Sequence, residues 1–435
     1  MSDNDVQIVD VRRSHTDYIK QQIAYQTEQF LSYLTKGNDN PLAVVDIDEV
    51  VERYRKWNQL FHRVELFYGN LVLFAYSFFL YPKAVKCNND PLIVKLLARL
   101  GSSFDCASKD EIEQVLEQGV DPSRIIFANP CKLNSHLTYS KYHNVDLVTF
   151  DSEEELIKVM MLYGSARLLL RFKPDHMHKV TFDMGKKFGC ALHDAKELFV
   201  SAKKKGLNII GVSFHVGSNC YNAEAYSSAI KKARKIFDIG LQVGFEMNIL
   251  DIGGGFPGRN THKPTIEEVS VIINQCLKEY FPDAEDLRII AEPGRYLVET
   301  AVSAGSWIIG RKLIYDFDED SNNDIIQSVM YTFNDGIYGT FGWMFYEAES
   351  FVISSLLQKR ETAKCRSIVW GPSCSATDCV VTHVELPQME VGEWVHISYS
   401  GAYSFCLSTN FNSMPRSKLY YFCTRDTWYA MLVLL

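Results

Sequence analysis

Asn248–Gly258 reads NILDIGGGFPG and Arg288–Arg295 reads RIIAEPGR. Each is an apolar run of strand length that stops at a polar or glycine-rich turn. The same unit recurs upstream. Glu65–Tyr68 (continuing at Ala84–Lys86), Ser103–Cys106, Arg124–Ala128, Leu147–Phe150, Leu168–Phe172 and Ile209–His215 are further strand candidates. Between them, stretches such as Lys109–Glu117, Glu153–Leu162 and Ala223–Gly240 carry apolar residues at helical spacing. Eight strands alternating with helices predict an α/β fold, a (β/α)8 barrel whose parallel sheet is covered by helices. Catalytic groups of such barrels sit just after the strands, so the polar residues at the run ends carry the argument.

After Pro293 the texture changes. Ile326–Phe333, Arg366–Trp370, Trp394–Ser398 and Lys418–Cys423 are strand-like and separated by turn-rich pieces such as Asp318–Asp324. This predicts a mostly antiparallel β domain. The expected division is a barrel over 41–293 and a β domain over 294–428, with 1–40 adding strands to the latter.

The 435 residues are 47% hydrophobic and 23% charged, the balance of a soluble globular chain. A net charge of -8 with no long basic tract argues against a nucleic-acid partner. The 11 cysteines show no CxxC pair, so neither a disulfide framework nor a metal site is expected, and a reducing cytoplasmic setting is. The apolar run Gly69–Leu80 is shorter than the ~20 residues that span a bilayer, so no membrane segment is expected.

Lys86 ends the first strand in AVKCN; a desolvated lysine amine can condense with an aldehyde cofactor, although taken alone the motif is more commonly a plain exposed strand-end lysine. Gly253, Gly254 and Gly255 can turn backbone N–H groups on a phosphate, or form a simple turn. Glu292 and Arg295 offer a carboxylate for a pyridine nitrogen and a guanidinium for phosphate, or else an internal ion pair. His215 could stack on a flat ring, with Ser218 beside it for phosphate. Cys374 could donate a proton, or be an inert thiol.

Taken in order, AVKCN, FDCAS, ANPCK, TFDS, SFHVGS, DIGGGFPG, AEPGRY, NDGIYG, WGPSC and GAYS resemble the ornithine decarboxylase family from about Pro41 to Trp428. The resemblance implies a pyridoxal 5'-phosphate enzyme that decarboxylates a basic amino acid, L-ornithine to putrescine in polyamine biosynthesis, as a head-to-tail homodimer. It implies that Lys86 carries the cofactor and Asp105 positions that lysine. Arg171 would approach the ring hydroxyl, His215 the ring face and Glu292 the ring nitrogen. Ser218, Gly255, Arg295 and Tyr403 would surround the phosphate. Cys374 would protonate the substrate from the partner subunit, Lys187 and Asp378 would bridge the subunits, and Tyr338 and Phe411 would line the substrate end.

The family holds the far ammonium of ornithine between two aspartates. Here those positions are Glu347 and Ser375. Glu347 keeps a charge one methylene further out, and Ser375 has none, so ornithine should bind more weakly. Some relatives are catalytically silent and bind antizyme; the two changes leave that alternative open, while retention of Asp105, Arg171, Arg295 and Tyr403 favours cofactor binding.

A third departure is Gly69–Lys83, fifteen residues that interrupt the first barrel strand and whose removal restores the family phrase. A central strand cannot absorb such a loop and keep register. Deleting Gly69–Lys83 should therefore raise the melting temperature and the cofactor content of purified protein. A deletion variant less stable than the full chain would refute this.

Overall fold

A computed structural model describes residues 6–10, 12–22, 40–68, 87–175, 184–261, 263–282, 286–318, 323–342, 352–356 and 364–433. The insertion Gly69–Lys83 lies outside them. The chain divides into two compact units, Glu52–Leu297 and Met1–Val51 with Val298–Leu434.

Counting strands in chain order, β1 (Val6–Val9) and β2 (Leu42–Asp46) precede the barrel. The barrel consists of β3 (Val64–Tyr68), β4 (Ser103–Cys106), β5 (Ile125–Phe127), β6 (Leu147–Phe150), β7 (Arg167–Arg171), β8 (Asn208–Ser213), β9 (Ile249–Asp251) and β10 (Arg288–Ala291). Each pairs in parallel with its neighbour, and β10 closes on β3. Strands such as β6, LVTF, are buried throughout because side chains fill the interior on one face and helices cover the other. Phe67, Ile126, Leu147, Leu169, Ile210, Ile249 and Ile290 form the inner core. All eight barrel strands expected from the sequence have a counterpart among the described residues; the expected continuation of the first at Ala84–Lys86 lies outside them.

Local signals set the helices between them. Asp90 accepts from Leu92 and Ile93 N–H and Pro91 occupies the first helical turn, which starts Pro91–Arg99. Thr265 and Glu268 form a capping box on Ile266–Tyr280. Glu224–Val243 buries Tyr226, Ala229, Ile230, Ala233 and Phe237 along one face and stops at Gly244, whose φ of +92° is left-handed.

The second unit is a mixed sheet. Long β11 (Val302–Asp318) is its spine, followed by β12 (Asn323–Phe333), β13 (Ile353–Ser355), β14 (Lys364–Trp370), β15 (Cys379–Pro387), β16 (Trp394–Ile397) and β17 (Lys418–Thr424). The order is β1-β17-β2-β11-β12-β14-β15, with β16 against β11 and β13. Five of the eight pairings among described residues are antiparallel. The parallel ones are β1–β17, β17–β2 and β12–β14. Leu42–Asp46 therefore belongs to the sheet and not to the barrel, so the boundary expected at 41 lies one strand early. Its fully buried LAVVD reads like a barrel strand because it, too, is covered on both faces.

The N-terminal segment is held to this sheet by aromatic and polar contacts. Tyr18 stacks on Phe422 at 3.4 Å, and His15 Nδ1 lies 2.6 Å from Ser303 Oγ. His396 of β16 is buried; Thr16 and Ser354 hydroxyls lie 3.4 and 3.3 Å from its Nδ1. Burial, reinforced by nearby His15, pushes His396 down to about 4. An unfolded histidine titrates near 6.5, so the unfolded chain binds more protons between these values. Stability contributed by neutral His396 is complete above about pH 6.5 and is lost as pH falls toward about 4. Melting temperatures of wild type should drop more steeply with acidification than those of His396→Gln. Parallel curves would contradict this assignment.

Candidate active site

In the barrel unit, β8 runs into Phe214-His215-Val216-Gly217-Ser218 and β9 into Gly253-Gly254-Gly255, and these exits lie in backbone contact. A Cβ on Gly253 would sit 1.9 Å from the Phe214 carbonyl oxygen, and one on Gly255 would sit 2.4 Å from that of Gly217. A Cβ on Gly254 would meet His215 Nε2 at 2.7 Å and the Glu292 carbonyl oxygen at 2.8 Å. Gly253 and Gly255 also have φ of +61° and +107°, so glycine is required twice over.

Hydrogen bonds knit the same residues. Glu292 N–H donates to the Gly253 carbonyl at 2.7 Å, and Cys220 N–H donates to that of Gly255 at 2.9 Å. Gly217 N–H donates to His215 Nδ1 at 2.9 Å, which assigns that nitrogen as the acceptor. Arg295, buried, donates to Ser218 Oγ at 3.3 Å. The structure thus brings together His215, Ser218, Gly253, Gly254, Gly255, Glu292 and Arg295.

A buried carboxyl that sequence reasoning did not single out lies among them. Asp251 closes β9, is 1% exposed, and accepts from Gly253 N–H at 2.8 Å. Its carboxyl is hydrogen-bonded to Glu292 and senses the charges of Asp105 and Arg171. Burial raises Asp251 to about 7; Asp105 adds to the rise, while Gly253 N–H, Glu292 and Arg171 oppose it. Two carboxyls in one hydrogen bond must keep a proton between them. The available sequence signal was an acidic residue ending an apolar strand two positions before the first glycine. Asp105, inside β4, and Arg171, closing β7, are both buried, and the Arg171 guanidinium lies 5.2 Å over the Phe188 ring. Lys187 is exposed, with its Nζ 4.9 Å over the same ring. Lys86 lies outside the described residues.

A turn bare of side chains, bordered by the Ser218 hydroxyl and the Arg295 guanidinium, fits a phosphate group. Glu292, bound to a second carboxyl, is suited to a basic ring nitrogen. The residues present therefore fit pyridoxal phosphate.

The sheet unit carries the other expected residues. Tyr338 and Phe411 rings stand 4.4 Å apart. Tyr338 Oη lies 3.1 Å from Ser375 Oγ and 2.7 Å from Thr377 Oγ1, and these two oxygens are 2.8 Å apart, a cluster of three neutral hydroxyls. Cys374 is exposed, and its N–H and thiol both donate to Asn412 Oδ1 at 3.2 Å. Tyr403 is half-buried with φ of +57°. Asp378 is 1% exposed and accepts from Ile337 N–H at 2.9 Å, Ser373 N–H at 3.0 Å and Ser373 Oγ–H at 2.6 Å. It braces the Tyr338 and Cys374 loops from within, a role the sequence did not reveal. Glu347 lies outside the described residues.

A parallel barrel with a glycine phosphate cradle and a carboxyl for a ring nitrogen, joined to a mostly antiparallel sheet, defines a class of pyridoxal-phosphate enzymes. Residues 47–299 match the family model for the pyridoxal binding domain of pyridoxal-dependent decarboxylases, and 296–401 match the model for their C-terminal sheet domain. The chain belongs to the pyridoxal-dependent decarboxylases. It is 40% identical to ornithine decarboxylase of Rattus norvegicus over 413 residues, covering 93% of this chain and 85% of that protein. It is 38% identical to antizyme inhibitor 2 of Xenopus laevis over 410 residues, covering 94% and 86%. Among solved structures, the arginine decarboxylase of Paramecium bursaria Chlorella virus superposes with a TM-score of 0.81 at 30% identity, covering 93% of this chain and all of that one.

The shared Asp251–Glu292 proton has a pH signature. An unfolded aspartate titrates near 3.9, so the folded chain holds the extra proton between there and about 7. That contribution to stability is complete below about pH 4 and is lost as pH rises through about 7. Asparagine at 251 can accept from Gly253 N–H and donate to an ionised Glu292. Asp251→Asn should therefore lose less melting temperature than wild type between slightly acidic and mildly alkaline buffer. Equal losses would show that no proton is held there.

Proposed function

We propose that the chain decarboxylates a basic amino acid, with L-ornithine to putrescine as the nearest reaction, through a pocket weakened for the distal ammonium. The observation that carries this reading is the joined cluster of Ser218, the three glycines, Glu292 and Arg295 behind the parallel barrel. Pyridoxal phosphate, when bound, would supply an electron-withdrawing ring that takes up the electron pair left on the substrate carbon as CO2 departs. In this reading Lys86 carries the cofactor and Asp105 positions that lysine. Ser218, Gly253, Gly254, Gly255, Arg295 and Tyr403 hold its phosphate. Glu292 keeps its ring nitrogen protonated, Arg171 meets its hydroxyl and His215 packs on its face. Cys374 delivers a proton to the α-carbon. The working form is a cytoplasmic homodimer in which the barrel of one copy is completed by Cys374 of the other.

Substrate choice rests on Tyr338, Phe411, Glu347 and Ser375. The hydroxyl cluster around Ser375 carries no charge, so a substrate ammonium there meets only dipoles. A carboxylate at 375 would find the Tyr338 and Thr377 hydroxyls already placed as donors. Restoring one charge-assisted contact is worth about 1.5–3 kcal/mol, roughly ten- to a hundredfold in binding. Ser375→Asp should raise kcat/KM on ornithine by about that factor, mainly through KM, because the ammonium is remote from the bond that breaks. Glu347→Asp should do less, since Glu347 already holds a charge. The check is a panel of ornithine, lysine and arginine on wild type and both variants. High wild-type activity on ornithine, or no response to Ser375→Asp in cofactor-loaded protein, would refute the reading.

Similarity to an antizyme inhibitor, together with the missing charge at Ser375, supports a second reading as a weak or silent antizyme-binding homologue. Full cofactor loading with no turnover on any amino acid, and capture of antizyme, would favour it.

A further inference from the structure

The loop 409–413 meets Cys374 through a single side chain. Asn412 Oδ1 accepts both the backbone N–H and the thiol of Cys374, each at 3.2 Å. One oxygen gripping two donors of the same residue fixes the direction of the Cα–Cβ–Sγ arm as well as the loop. Both residues are exposed, so the contact is not a by-product of core packing.

The backbone around it is unusual. Asn412 has φ of +52° and Ser413 φ of +56°, consecutive left-handed residues without glycine. Such conformations persist only where the surroundings impose them, and asparagine tolerates them best after glycine. Thr409 N–H donates to the Tyr338 carbonyl at 2.8 Å, Phe411 N–H to Thr409 Oγ1 at 3.3 Å, and Ser413 N–H to the Asn410 carbonyl at 3.1 Å. Opposite, Gly371 N–H donates to the Asp378 carbonyl and Asp378 N–H to that of Ser375, at 2.8 and 3.1 Å, so the Cys374 loop is clamped on both sides of the thiol. Hydrogen bonds on both loops thus set Asn412 against the Cys374 loop.

We propose that Asn412 is a positioning residue that aims the Cys374 thiol, with its proton in place, so that protonation of the substrate occurs from one face. The proposal rests on the reading of Cys374 as the proton donor. In that step the electron pair left by CO2 forms a C–H bond as the S–H bond breaks, and water returns a proton to the sulfur before the next turnover. An amide carbonyl suits this task. It accepts the S–H hydrogen bond yet is too weak a base to remove the proton, so the sulfur is held in place and loaded until rotation about Cβ–Sγ turns the proton from the amide to the far more basic substrate carbon.

The test uses three full-length variants of the cofactor-loaded enzyme. Cys374→Ser identifies the S–H stretching band of Cys374 by infrared difference and asks whether that thiol is the donor. Asn412→Gly keeps the left-handed backbone and removes the acceptor. Asn412→Asp keeps an acceptor oxygen. Decarboxylation of the best amino acid of the panel in D2O reads the handedness of the singly deuterated amine, which lost stability or a lower active fraction would not change. Wild type and Asn412→Asp should give one enantiomer and a hydrogen-bonded S–H band. Asn412→Gly should move the band to the free-thiol frequency and give a mixture of enantiomers. An unmoved band, or a moved band with a single enantiomer retained, overturns the proposal. If Cys374→Ser itself still gives one enantiomer, the reading of Cys374 as donor fails, and the proposal falls with it by that separate route.

Discussion

The barrel site depends on one close approach. Where β8 and β9 leave the barrel, the Gly253 Cα and the Phe214 carbonyl are so near that a methyl group would lie 1.9 Å from the oxygen. Everything polar at this end is referred to that contact. It sets the glycine turn that faces Ser218 and Arg295, brings Gly253 N–H onto Asp251, and lets Glu292 N–H reach the Gly253 carbonyl. Glycine at these positions is a steric necessity as well as a conformational one.

The sheet unit has a corresponding organiser in Asp378. Its buried carboxylate gathers amides from the Tyr338 loop and the Cys374 loop, two segments about forty residues apart in sequence. A Cβ at Gly336 or Gly371 would come within 2.3 Å of that carboxylate, so both loops close tightly on it. Buried acids in this protein act on backbone as often as on charge: Asp335 takes Gly336 N–H, Thr340 N–H and the Ser417 hydroxyl in the same way.

How much could be read in advance differs between the units for a physical reason. The barrel strands follow from runs such as Leu168–Leu170, apolar on both faces and ending at polar residues, and the glycine and Glu292 turns mark their exits. The sheet was harder. β2 carries the same buried pattern as a barrel strand, and only its pairing with β11 and β17 tells them apart. Pairing is a long-range property that periodicity does not encode. Asp251 and Asn412 escaped notice likewise, since an aspartate at a strand end and an asparagine in a turn are ordinary until their partners are known. Asp378 matched a family position, yet its inward hydrogen bonds belong to this chain's own loop.

The mixed sheet pairs Val6–Val9 and Leu42–Asp46 with Lys418–Thr424, strands that lie on opposite sides of the barrel segment in the sequence. Synthesis runs from the amino end, so the barrel segment Glu52–Leu297 is complete while the sheet still lacks the strand that joins β1 to β2. At 5–20 residues per second, the remaining stretch of roughly 130 residues takes on the order of six to twenty-six seconds to emerge. Through that interval Val302–Asp318 can cover one side of Leu42–Asp46, but the side that Lys418–Thr424 takes has no neighbour. The nascent chain must carry an unpaired, aggregation-prone strand edge beside an already folded barrel. Arrival of Lys418–Thr424, and not barrel closure, is the event that completes the sheet.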